Sequence, residues 1–435
     1  MAGHAKQKNP LFRSKVVEIS KSDDKYQLMF GGKPYFIKGG AVTGVEYLEK
    51  IKEFGGNSVR TYNTKDAFEI LDSAQKLGLT VMLGLELGSA KKDFDPSDSD
   101  LVDSLKNVVR SEVLKYKDHP ALLFWGLGNE VELFIGNGIA QLERHIQLWK
   151  LMNDLAFLIH ELDPLHPVST AIPRRSVRRQ WLINRFCPEL DIITFNSLDS
   201  FDKNELPFFT RKPYLISELG GLGFWQSKRT EWFSCIEATS QEKIKFINHQ
   251  YEVFKNSNSF GSYAFYWGQK NEYSHTWFSL FTEKGETTEV AYNFKKLWSE
   301  KVDLIDRVKL GEIKVSGKRG IENIYLKCNQ TYEFSFPIKK ANPSKVELRW
   351  ELVRDDVDYL NTSYITKKLE VIYRDSIQLN NFDSLLKTDE GSNSVFRYCG
   401  QLKTPKEGGA YRLFVFLKDE DELVSTSNIC FFVRS

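Results

Sequence analysis

Between residues 35 and 300 one pattern recurs eight times: a short apolar run without alternation, a break at glycine or a polar pair, and usually an amphipathic segment with helical spacing. Contiguous apolar runs mark strands covered on both faces, as in a parallel sheet. Strand and helix alternating over about 250 residues fit a closed parallel barrel. Two doubly wound sheets fit less well.

The expected strands are Tyr35–Lys38, Asn57–Tyr62, Leu79–Leu85, a run opening at Ala121, Val168–Ile172, Leu190–Phe195, Pro213–Ser217 and Gly261–Trp267. Helices are predicted over Tyr47–Phe54, Asp66–Leu77, Ser104–Tyr116, Ile139–Leu162, Ser176–Arg185, Gln241–Phe254 and Thr288–Trp298, several closed by glycine. Residues 1–34 form an N-terminal extension with a hairpin turning at Gly31-Gly32-Lys33-Pro34. After Trp298 the pattern changes to short β-rich runs such as YEFSFPI, KVELRWELV and AYRLFVFL. The expected architecture is α/β: a (β/α)8 TIM barrel over 35–300 with a C-terminal antiparallel β-sandwich over 301–435, of the immunoglobulin kind.

Charge excludes some functions. Net charge is +2 and the basic residues are scattered, which gives neither a nucleic-acid stripe nor a membrane patch. The run Arg174, Arg175, Arg178, Arg179 reads as a solvated helix face. No apolar run has transmembrane length. The start MAGHAKQKNP lacks the apolar core of a signal peptide, and it also fits a chain whose export signal has been replaced, so a secreted or periplasmic location stays open. Five cysteines at 187, 235, 328, 399 and 430 lack metal-ligand spacing and read as isolated thiols, with a bridge from Cys328 to Cys399 or Cys430 as the alternative. The sequence leaves the oligomeric state open.

The chemistry is expected where strands end. The run ALLFWGLGNEVE, Ala121 to Glu132, stops at two glycines and presents Asn129 and Glu130, and PYLIS is followed at once by Glu218. In a parallel barrel, strand C-termini open into one central bowl, so both carboxylates can face a common substrate. Paired carboxylates in one bowl suit glycoside hydrolysis, where one group protonates the leaving oxygen and the other attacks the anomeric carbon or activates water.

With these residues the chain resembles the clan A retaining glycosidases, most closely the barrel domain of glycoside hydrolase family 2. The resemblance rests on FIKGG (36–40), GGNSVRTY (55–62), WGLGNE (125–130), ISELGG (216–221) and SYAFYWGQK (262–270). It implies a carbohydrate substrate, with Glu130 as general acid/base, Glu218 as nucleophile and Asn129 bound to the sugar 2-hydroxyl. It further implies that Arg60 holds Glu218 ionised, that Asn196 at the end of the sixth strand contacts substrate, and that Trp267 forms an aromatic floor. Carboxyl groups roughly 5 to 5.5 Å apart are expected of retaining chemistry. No metal or organic cofactor is expected.

The sequence departs from that pattern in one place. Family members usually carry a tyrosine two positions after the strand-six asparagine, where this chain has Leu198, so Tyr62, Tyr273 or another tyrosine would have to substitute. NSVRTYN also resembles β-1,3-glucan-transferring enzymes of the same clan. Transglycosylation with the same two glutamates, and a pseudoenzyme that binds glycans without cutting them, are the alternatives to hydrolysis. Glu86, after the third strand, reads as a sugar contact or a solvated loop carboxylate, and His275, near Trp277, as a subsite residue or, better, a packed histidine.

Overall fold

A computed structural model describes residues 17–22, 25–87, 95–135, 141–173, 176–199, 212–299, 308–339, 346–355, 366–379, 386–388 and 395–434. The chain divides into two compact units, Met1–Leu219 with Gln250–Phe265, and Gly220–His249 with Tyr266–Ser435.

The first unit opens on a three-stranded antiparallel sheet, β1 Val17–Ser22, β2 Lys25–Phe30 and β3 Lys33–Pro34, turning at Gly31-Gly32 where φ is positive. Eight parallel strands then close a barrel in sequence order. They are β4 Ile37–Ala41, β5 Ser58–Arg60, β6 Thr80–Leu85, β7 Leu122–Asn129, β8 Val168–Ile172, β9 Ile192–Ser197, β10 Tyr214–Leu219 and β11 Ser259–Ala264, and β11 pairs with β4. Every residue of β6, β8, β9, β10 and β11 is buried, as contiguous apolar runs require.

Helices α1 Leu48–Glu53, α2 Ala67–Leu77, α3 Ser99–Tyr116, α4 Leu142–Leu162 and α5 Val177–Phe186 follow β4 to β8, and α6 Ser240–Lys255 precedes β11. Their ends carry ordinary signals. Asp98 caps α3 by accepting from the N–H groups of Asp100 and Leu101, Ser176 caps α5, and Gly78 ends α2 in the left-handed region. No described helix is long and apolar enough to cross a membrane.

Two strands differ from the sequence expectation. Gly39 and Gly40 lie inside β4, paired with Ser58 and Val59, where they were expected to end it. A Cβ on Gly39 would stand 2.4 Å from the Tyr263 ring, so packing explains the glycine. At the other end of the barrel, β11 stops at Ala264, three residues before Trp267. The apolar Phe265-Tyr266-Trp267 looks like strand, yet Tyr266 turns to pair with Phe278 and Leu280.

The second unit holds two five-stranded sheets. Strands β12 Lys309–Leu310, β13 Lys314–Val315, β14 Tyr325–Lys327, β15 Thr331–Lys339, β16 Val346–Arg354, β17 Val371–Leu379, β18 Leu386–Thr388, β19 Val395–Lys403, β20 Gly409–Lys418 and β21 Val424–Arg434 sort into β12-β15-β19-β18, with β13 also on β15, and β14-β21-β20-β16-β17. All pairs are antiparallel except β14 with β21. Inward residues such as Phe334, Phe336, Leu348, Leu352, Leu413 and Val415 form one core between the sheets.

The unit also includes residues 220–249 and 266–299, so compactness does not change at residue 300, where the sequence placed a boundary. Packing gives the reason: Thr426 N–H donates to Ser240 Oγ at 2.9 Å, and Ser425 Oγ donates to Glu289 on α7 Glu289–Trp298. All five cysteines are free thiols, so neither bridge considered from the sequence forms. Residues 174 and 175 lie outside the described residues. Arg179 is an ion-pair partner of buried Glu132 rather than part of a solvated face.

Candidate active site

Backbone irregularities aim the site residues. The pairing of β7 with β8 shifts register between Gly126 and Asn129, and the pairing of β10 with β9 shifts between Ile216 and Glu218. Such shifts re-aim side chains at the rim of a barrel. Gly128 has φ +70°, and a Cβ there would meet Val131 Cγ1 at 2.7 Å. Glu130 itself is left-handed at φ 54°, ψ 32°, held by its N–H donating to Ala171 O at 2.8 Å. A non-glycine residue in that region stores roughly 1 to 2 kcal/mol of strain, the kind that gathers at functional positions.

One arginine ties the ends of four strands together. Arg60, 2% exposed at the end of β5, donates through Nη1 to Glu218 Oε1 (3.1 Å), Asn196 Oδ1 (3.2 Å) and Ser217 O (2.8 Å). Its Nη2 donates to Asn129 Oδ1 at 2.6 Å. The guanidinium also lies over the Tyr62 ring, 4.5 Å from its centroid. Tyr62 in turn donates its phenol to the same oxygen of Glu218, at 3.0 Å. A cation and a phenol converging on one carboxylate oxygen favour its charged form.

Asn196 links Glu130 to Arg60, the residue that also holds Glu218. Its Nδ2 donates to Glu130 Oε1 at 2.7 Å and to Asn129 Oδ1 at 3.1 Å, while its Oδ1 accepts from Arg60 and from Ser217 Oγ at 2.8 Å. Both faces of this amide are committed to protein partners, so it positions Glu130 rather than reaching for substrate. Asn129 is oriented by the same network: its Oδ1 takes two donors, which turns Nδ2 the other way, where it donates to no described residue.

The structure thus brings Arg60, Asn129, Glu130, Asn196 and Glu218 together. Glu86 is exposed just past β6 and makes no hydrogen bond to the cluster among the described residues. Trp267 differs from its expected role: its ring is 1% exposed, stacked on Trp298 at 5.1 Å, and a ring so covered offers no face to a sugar. Tyr273 is buried, accepting from the Cys235 N–H, and His275 packs on Phe414 beside Glu351. Of the tyrosines weighed from the sequence, Tyr62 is the one bonded to Glu218.

Two further residues were not singled out from the sequence. Ser217 sat unremarked inside the ISELGG motif. Glu132, two residues beyond Glu130, is 2% exposed, and burial pushes its carboxyl up to about 7 even though Arg179 Nε stands 3.1 Å away. Neither Glu132 oxygen has an aligned hydrogen bond among the described residues, so the arginine offsets only part of the desolvation.

No family model matches the sequence, and no curated protein is significantly similar to it. Solved structures do match in fold. A β-glucuronidase from Bacteroides uniformis is 15% identical with a TM-score of 0.52, covering 96% of this chain and 48% of its own. The same values hold for Bacteroides uniformis β-glucuronidase 2 covalently bound to cyclophellitol-6-carboxylate aziridine. The barrel-and-sandwich fold is shared. The chain spans about half the length of these neighbours.

Proposed function

We propose that the chain is a glycoside hydrolase that cleaves β-linked glycosides with retention, Glu218 acting as nucleophile and Glu130 as general acid/base. The observation that carries this reading is the unequal treatment of two carboxylates joined by one network. Glu218 faces a guanidinium and a phenol, which suits a group that must be ionised to attack. Glu130 takes a neutral amide hydrogen from Asn196, which suits a group that must gain and lose a proton. Fold likeness to two β-glucuronidases agrees with the reaction class at the level of analogy.

In the first step Glu218 Oε attacks the anomeric carbon, the glycosidic C–O bond breaks, and Glu130 gives its proton to the departing oxygen. In the second, the Glu130 carboxylate takes a proton from water, whose oxygen attacks the same carbon and releases Glu218. Asn129 Nδ2 is the donor for a sugar hydroxyl beside the reacting carbon. Tyr62 offers Glu218 the hydroxyl that Leu198 lacks, which supports catalysis over a non-catalytic glycan binder.

Aryl β-glycosides and β-glucan oligosaccharides, offered to the parent chain, Glu218→Ala and Glu130→Ala, test the roles. Glu218→Ala is expected to fall to background. Glu130→Ala should lose about 10²- to 10⁴-fold on poor leaving groups and much less on activated aryl ones. Added azide should restore turnover in both, giving the α-azide with Glu218→Ala and the β-azide with Glu130→Ala. A parent chain that binds glycans yet releases nothing overturns the proposal.

A further inference from the structure

The outer face of one sheet in the second unit is unusual. β16 and β20 turn Leu348, Leu352, Leu413 and Val415 into the sandwich core, so Arg349, Glu351, Phe414 and Phe416 face the other way. Such a face is ordinarily solvated. Here residues 275–288 lie beside it and border a half-open cavity of about 490 Å³, within the range of small-molecule sites. Every lining residue belongs to this unit, and none to the Glu130–Glu218 cluster.

The walls are charged but balanced. Lys243, Lys284, Arg349 and Arg374 line the cavity with Glu283, Glu286, Glu351 and Asp375, four of each sign. Arg349 grips Glu286 in a fork, with Nη1–Oε1 2.9 Å and Nη2–Oε2 2.5 Å. Glu351 lies 2.7 Å from His275 Nε2 and accepts from Arg374 Nε at 2.8 Å. Lys243 is committed to Glu237 at 2.6 Å. Apart from Lys284 and Asp375, which are exposed and opposite in sign, the walls hold their charges in pairs, and a charged ligand competing for a paired group would have to break the pair and leave its partner unmatched. A neutral ligand need not, because carboxylates and guanidinium groups keep spare acceptor and donor positions while paired.

The remaining surface narrows the class. Phe416 is half-buried, with His275 stacked at 6.1 Å between ring centroids and the Arg349 guanidinium 5.7 Å from its own, so the uncovered part of the ring lies beside planar polar groups. Hydroxyl groups of Ser279, Ser376 and Thr426 complete the lining. An apolar ring surface for C–H groups next to donors and acceptors for hydroxyls matches a sugar ring. We infer that this cavity is a second binding site, taking a neutral, hydroxyl-rich ligand of the size of a β-linked disaccharide. The inference stands whether or not the barrel is catalytic.

The test is titration calorimetry on the full chain in a Glu218→Ala background, which keeps the barrel constant, with cellobiose, laminaribiose, mannobiose and glucuronate as probes. Phe416→Ala removes the aromatic ring from the lining, and Ser376→Trp introduces bulk at the rim. At least one neutral disaccharide should bind, about tenfold more weakly to Phe416→Ala and to Ser376→Trp. In the Glu218 parent, both substitutions should leave hydrolysis of a small aryl glycoside unchanged. Identical isotherms in all chains, no binding up to about 10 mM, or glucuronate bound more tightly than the neutral sugars each overturn the inference. Absence of hydrolysis in the unsubstituted parent would sink the barrel reading alone.

Discussion

Under the proposed mechanism, Tyr62 takes the place of a tyrosine expected elsewhere in the fold. The usual position beyond the strand-six asparagine holds Leu198, 6% exposed, and the hydroxyl comes instead from the residue two places after Arg60. Hydrogen bonds to a charged group are worth roughly 1.5 to 3 kcal/mol. Tyr62→Phe should therefore lower kcat about 10- to 100-fold while leaving the melting temperature nearly unchanged, as paired kinetic and thermal measurements would reveal. An unaltered kcat would mean that the phenol only packs against Arg60.

Glu132 allows a second prediction at this scale. An unfolded chain releases the proton of such a carboxyl near 4.5, whereas burial keeps it bound in the folded state up to about 7. Between those values the folded state binds more protons, so stability falls as pH rises through that window, by on the order of 3 kcal/mol. Denaturant melts at pH 4.5, 6 and 8 should show this slope, and Glu132→Gln should flatten it. A slope of the opposite sign would exclude this carboxyl as its source. The sequence could not announce it, because a glutamate in a loop is normally solvated and nothing local marks one that is covered.

At the scale of the element, the strand ends decide. Gly128 combines φ +70° with a neighbour 2.7 Å from where a Cβ would stand. Gly128→Ala should cost about 1 to 3 kcal/mol of stability and displace Asn129 and Glu130, lowering kcat more than it raises KM. By contrast, Asp98→Ala at the start of α3 should cost about 1 kcal/mol with no change in kcat. The strands themselves were legible because parallel strands are apolar throughout. Two boundaries were not: Gly39-Gly40 looked like a stop although Tyr263 requires the space, and Phe265-Tyr266-Trp267 looked like strand although its backbone turns.

At the scale of the whole molecule, the sequence carried the order of elements but not the grouping of segments. Ser240 and Thr426 are 186 positions apart, and no local composition indicates that they share a unit. The Glu130 and Glu218 pair came from strand ends, and Arg60 from resemblance, while the Asn196 link between Glu130 and Arg60 needed coordinates. The second unit has its own acid limit. Burial raises the Glu351 carboxyl, yet His275 and Arg374 outweigh it and hold the group down to about 2. Its contribution is present above about 4.5 and disappears as pH falls toward 2.

Arg60 reaches partners 69, 136 and 158 residues further along the chain. During synthesis it is therefore made long before anything it will hold, and Glu218 is among the last of its partners to appear. Until the sheet closes on itself, the network that joins Glu130, Asn196, Arg60 and Glu218 is incomplete. Under the proposed mechanism, competence to react becomes a late checkpoint on assembly: a nascent chain that has formed its helices but not closed the ring lacks the assembled cluster.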